Sequence, residues 1–284
     1  MKILFIFIPL IFLGYSYSVI LLPEKIQKFS LVLSPFIGAI FIIIIGLALS
    51  VAKIGMNQEL LPVIGVIGLK GYQLIIFFTF LTWIYAFIFH NKITLRYYRQ
   101  SLFIIPLVLV IVLTGIFNFP EQSSLLSLST GLQKTSIIDM VYHSGPSLSN
   151  VHFQLGTPIL YSFYLSVFHW IPKNELFQTI GLSYLITFGI FILVILLIKN
   201  INPRLKLFEY NGAIILTSAA IFSLSTLNVT LLFITLVVVA VYFLFQSYLH
   251  RTLQYIFTLL KIVLLAVLIN PFFTGLLIKI YLLS

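Results

Sequence analysis

Between residues 213 and 247 the chain runs for thirty-five positions without a charged side chain. A helix crosses a bilayer in roughly 20 apolar residues, so this run is too long for one ordinary span. It predicts two helices with a turn near Ser225–Thr226–Leu227–Asn228. The rest of the chain agrees: 61% of residues are hydrophobic and 8% charged, where soluble domains have about a quarter charged. A soluble core could not hide that much apolar surface, and lipid is the solvent these proportions fit.

Charge then says which partners to expect. The formal net charge is +10, but the sixteen Lys and Arg are spread thinly through short linkers between apolar runs. Positive-inside topology signals are written that way, with anionic lipid headgroups as counter-charge. A nucleic-acid partner would need a basic polar domain, and the chain offers none. There is no cysteine, which excludes disulfides, thiolate metal sites and cysteine nucleophiles. Five His, five Glu and one Asp are scattered without HExxH or other dense ligand spacing. No cofactor is implied, and a divalent ion stays open.

The apolar runs predict an all-α polytopic bundle of nine or ten helices, a single integral membrane domain over 1–284. Residues 1–117 form its N-terminal helices, 118–157 an extracytoplasmic loop with short amphipathic helices, and 158–284 its C-terminal helices. The first span is Ile3–Leu22; its basic start and Ser16 and Ser18 also resemble a signal peptide, but apolar character resumes at Val19. Further spans are Ser30–Ala52, one ending near His90, Ser101–Phe117, Leu176–Ile198, the pair within 213–247, and two within Thr252–Leu283 separated at Asn270–Pro271. Leu155–Ile171 is short for a crossing.

Lys92, Arg96 and Arg99 form a linker without an acid, which should resist translocation and stay cytoplasmic. That sends 118–157, with Glu121, Lys134 and Asp139, to the outside of the cytoplasmic membrane. It puts the Lys25–Lys28 linker inside. The linker with Lys199, Arg204, Lys206 and Glu209 also prefers the cytoplasm, which requires that 155–171 does not cross.

Asp139, the only aspartate, stands one helical turn before His143, so on a helix the two share a face. Gly145–Pro146 would end that helix. A carboxylate there could take a proton from an acceptor hydroxyl while the imidazole orients it or binds phosphate. The alternative is a solvated loop acid and an interfacial histidine. His152 and Gln154 could join the pair in one polar pocket or cap the next segment. Arg204 and Lys206 could bind a lipid phosphate or act only as topology signals. Lys261, inside an apolar run, is either a functional charge at depth or a snorkelling side chain.

Asp139–Met140–Val141–Tyr142–His143 resembles the D-x-x-[FY]-H pattern of membrane glycosyltransferases of the GT-C superfamily, where it opens the first large extracytoplasmic loop. Ser34–Pro35–Phe36–Ile37–Gly38 is similar to N-terminal helices of those proteins, as is the run from His152 through Gly156–Thr157–Pro158. The resemblance covers roughly 30–200. It implies a transferase that moves a sugar from a polyprenyl-phosphate donor to an acceptor hydroxyl outside the membrane. Asp139 would be its base, with His143 as the histidine beside it. The chain departs from the family in being short and in having no acid between Asp139 and Glu175. A transporter or flippase for a lipid-linked substrate, or a non-catalytic assembly subunit working with a membrane protein partner, are the alternatives.

Overall fold

The computed structural model describes residues 2–51, 71–89, 178–203 and 205–269, with Gly156, Ile159, Leu160 and Phe163 between them. Every element among them is an α-helix: α1 (Lys2–Leu21), α2 (Glu24–Gln27), α3 (Ser30–Val51), α4 (Gly71–Phe89), α5 (Gln178–Asn200), α6 (Leu207–Leu227), α7 (Val229–His250) and α8 (Gln254–Leu268). Three of these, α3, α6 and α7, are long and apolar enough to cross a membrane. The 21 residues of α6 rise about 31 Å, close to the thickness of a bilayer's hydrocarbon core.

Six of the predicted spans correspond to α1, α3, α4, α5, α6 and α7, and α8 covers the first of the two candidates beyond Thr252. The turn expected near Ser225–Asn228 is a single extended residue, Asn228. Its side chain accepts a hydrogen bond from the Leu231 N–H at 3.0 Å, capping α7. That role also accounts for the polar residue in an apolar run. The expected spans at 101–117 and beyond Pro271, and the linker at 92–99, lie outside the described residues. Within 155–171, Gly156, Ile159, Leu160 and Phe163 are helical and buried, spaced as one helix face; the rest of that segment is likewise outside the description.

α1 and α3 form the tightest pair, an antiparallel hairpin turned by the short α2. Small residues make this possible. A Cβ on Gly14 would strike the Ser34 carbonyl and the Gly38 nitrogen, and one on Gly38 would strike the Leu10 carbonyl. Gly14-x-x-x-Ser18 on α1 therefore faces Ser34-x-x-x-Gly38 on α3, the small-residue pattern by which membrane helices approach closely. Helical side chains lean toward their own N-terminus. From opposite directions, Tyr17 and Phe41 thus meet and stack with centroids 3.7 Å apart.

Pro35 interrupts α3 without opening it. Lacking an N–H, it cannot serve the Leu31 carbonyl one turn back. Ser34 Oγ donates to that carbonyl instead, at 2.7 Å. α4 lies against α1, where Ser16 and Thr82 hydroxyls pair at 2.6 Å and Trp83 donates to the Phe12 carbonyl.

α6 is the central helix, in contact with α1, α3, α5, α7 and α8. Its hydroxyls turn onto its own backbone: Thr217 to the Ala213 carbonyl, Ser218 to Ile214, Ser223 to Ala219 and Thr226 to Ser223. Those bonds satisfy polar atoms where water is excluded. By contrast, α7 buries only the stripe Thr235, Val239 and Phe243. Phe233, Val237 and Val241 on its outer side are at least 60% exposed, an apolar face suited to lipid.

Candidate functional site

The charged side chains among the described residues gather at one end of the bundle. Glu24, the first residue of α2, receives Lys206, the residue before α6, at 3.6 Å. Gly212 at the start of α6 lies against Leu21 at the end of α1, with 3.2 Å between its would-be Cβ and the Leu21 carbonyl oxygen. The linker carrying Lys25 and Lys28 and the linker carrying Lys199 and Lys206 thus share one end. α7 returns to that end, where Tyr242 reaches the Lys199 carbonyl. α8 leaves from it, with Thr258 bonded to Tyr210 at 2.6 Å.

Lys261 belongs to the same end. It is exposed, and its ammonium lies 5.6 Å from the centroid of the Tyr210 ring, in the first turn of α6. Because side chains on α8 lean toward its N-terminus, Lys261 reaches back toward the basic linkers along apolar surface. Of its two sequence readings, the snorkelling one matches this geometry. The described side chains with a positive charge at this end are thus Lys25, Lys28, Lys199, Lys206, Arg251 and Lys261, against the acids Glu24 and Glu209.

The other end of α6 meets Gly156. A Cβ on Gly156 would lie 2.6 Å from Thr226 Oγ1 and 3.0 Å from Leu227 Cδ2. Gly156 follows Gln154 by two residues. Lys206 and Thr226 are separated by the length of α6, roughly 30 Å at the helical rise. Lys206 therefore cannot share a phosphate with groups near Gly156, although the sequence offered Lys206, Arg204, His152 and Gln154 together as substrate-binding residues. Nothing in the sequence alone relates the two linkers, and only the packing of α6 against α1 does so.

Asp139, His143, His152, Gln154 and Arg204 lie outside the described residues. Among the described residues no group of three His, Asp or Glu could hold a metal ion. None of the described Lys, Arg, His and Glu side chains is buried; Lys28 and Glu209 are half-buried and the others exposed. A charge fixed at mid-depth, the mark expected of a transporter, is thus not found among them. The ion pair Lys206–Glu24 is 78% and 65% exposed and contributes little to stability. Comparison with protein-family models, with curated proteins and with solved structures found no match.

Proposed function

We propose that the chain is a multi-pass protein of the cytoplasmic membrane and a relative of the GT-C glycosyltransferases. It would move a sugar from a polyprenyl-phosphate donor to an acceptor hydroxyl on the extracytoplasmic face. The observation that carries this reading is the separation along α6 of the Lys206–Glu24 pair from Gly156. Basic ends resist translocation, so the end with Lys25, Lys28, Lys199 and Lys206 is cytoplasmic. Gly156 is then near the opposite face, where this reading puts the 118–157 loop.

In this reading the acceptor oxygen attacks the anomeric carbon as the bond to the donor phosphate breaks, and polyprenyl phosphate leaves. Asp139 takes the acceptor proton and His143 orients the hydroxyl or the phosphate. A site at a membrane edge raises the basicity such a carboxylate needs. His152 and Gln154 join this pocket. Lys206, at the cytoplasmic end, does not, and this reading leaves Arg204 out with it. The donor, the surrounding lipids and a membrane protein partner are the partners proposed.

The test compares wild type with Asp139→Asn at matched protein levels in the native host, reading surface glycans and the lipid-linked sugar pool. Accumulated donor with a missing sugar supports the transferase. Unchanged glycans in Asp139→Asn, with loss only on deletion of the whole chain, would turn the reading to assembly or transport.

A further inference from the structure

We propose that the turn between α7 and α8 is a binding site for the phosphate headgroup of an anionic phospholipid. The proposal rests on the membrane reading above and is independent of the transferase assignment. Arg251 occupies the turn in the left-handed conformation, φ 50° and ψ 39°, a position where helices normally place glycine. Among the described residues it is the one non-glycine with positive φ. The turn is firmly built: the Arg251 N–H donates to the Tyr248 carbonyl at 3.3 Å, and the Thr252 N–H to the Ser247 carbonyl at 3.2 Å. Ser247 Oγ closes it by donating to the Thr252 carbonyl at 2.7 Å. Glycine would make the same turn without strain, so the arginine brings something glycine lacks, an exposed guanidinium rooted at this point of the turn.

That point opens on a cleft of about 450 Å³ lined by Ser247, Tyr248, Leu249, Arg251, Thr252 and Leu253. Thr252, which helps line it, keeps its Oγ1 buried and without a hydrogen-bond partner. No side chain caps the first turn of α8, which begins at the cleft, so backbone N–H groups are also available to an anion. No acid lines the cleft. Its flanks are apolar: Leu249 and Leu253 are exposed beside the lipid-facing surface of α7, and Tyr248 is exposed as interfacial tyrosines are. A polar anion cradle at the basic end of the bundle, with apolar walls continuing into the bilayer, fits a phospholipid better than a soluble anion.

The test uses the full purified chain and measures retention of phosphatidylglycerol against phosphatidylcholine, by native mass spectrometry and by lipid-dependent melting. Arg251→Gly keeps the turn, because glycine accepts this φ, and its melting temperature without lipid checks the fold. It should weaken phosphatidylglycerol binding by about tenfold or more, the worth of a charge-assisted bond. Lys25→Gln, at the same end but outside the cleft, should change it by no more than about twofold. Equal losses in both variants would mean a diffuse charge effect and overturn the site, as would full retention in Arg251→Gly. Competition by millimolar inorganic phosphate would overturn the lipid assignment. Release of the chain from membranes by carbonate would sink the membrane reading itself, a result separate from loss of lipid preference.

Discussion

Replacing Gly14 by alanine puts the packing argument at its sharpest, because helix propensity and packing predict opposite signs. In a helix interior, glycine to alanine is worth up to about 1 kcal/mol of added stability. Here the new Cβ would stand 2.8 Å from the Ser34 carbonyl carbon, and nearer still to Ser34 O and Gly38 N. Carbons in ordinary contact are about 3.5–4.0 Å apart, so α1 and α3 must part by something near 1 Å. The obstacles are backbone atoms, and no rotamer change can relieve them. Overpacking costs about 1–3 kcal/mol, and a backbone clash at the closest helix pair belongs at the upper end. After the propensity gain, a net loss of about 2 kcal/mol remains. For a chain of this size that corresponds to a fall in melting temperature of about 4–8 °C. Thermal melting in detergent, followed by far-UV circular dichroism, measures it. Ser18→Ala on the same helix adds no volume and breaks only the local bond to the Tyr15 carbonyl, so it should cost about 1 kcal/mol or less. A Gly14→Ala protein that melts at or above wild type would refute the close approach of α1 and α3.

Two further substitutions test individual polar atoms. Ser34→Ala removes the donor that serves the Leu31 carbonyl in place of Pro35, and melting should report a loss of about 1–3 kcal/mol for the orphaned carbonyl. The double change Ser34→Ala with Pro35→Ala restores an N–H at position 35 and should recover most of it. Asn228→Ala removes the cap of α7 and should cost about 1 kcal/mol, with Asn228→Asp close to wild type in the same assay.

The helices were legible because lipid leaves few alternatives: apolar length alone located α3, α5 and α7 to within a few residues. Asn228 was legible for a related reason, since a polar residue splitting an apolar run of double length has to sit at a break. The Gly14, Ser18, Ser34 and Gly38 interface was also written in the sequence, at four-residue spacing. Its signal competes with others in the sequence, where Ser16 and Ser18 also read as signal-peptide features and Gly38 as part of a family likeness. Lys261 could not be decided from sequence, because depth depends on the direction and tilt of α8. The shared end of the two basic linkers depends on which helices neighbour α6, a tertiary fact that linker charge does not encode. Asp139, His143, His152 and Gln154 stand on sequence and resemblance alone.

The central place of α6 bears on how the chain is made. Its mean hydropathy is 1.4, against 2.7 for α3 and 2.5 for α7, so of the three it is the helix that bare lipid would welcome least. Yet it packs against five other helices, α1, α3, α5, α7 and α8. Synthesis runs from the N-terminus, so the α1–α3 hairpin and α5 precede α6 into the bilayer and can offer it a protein-lined berth. α7, apolar on its outer side, then follows through Asn228 and shields it from the acyl chains. Loosening the hairpin would therefore show itself twice, once in the melting of the finished protein and once earlier, as α6 left stranded during insertion and cleared by membrane proteolysis.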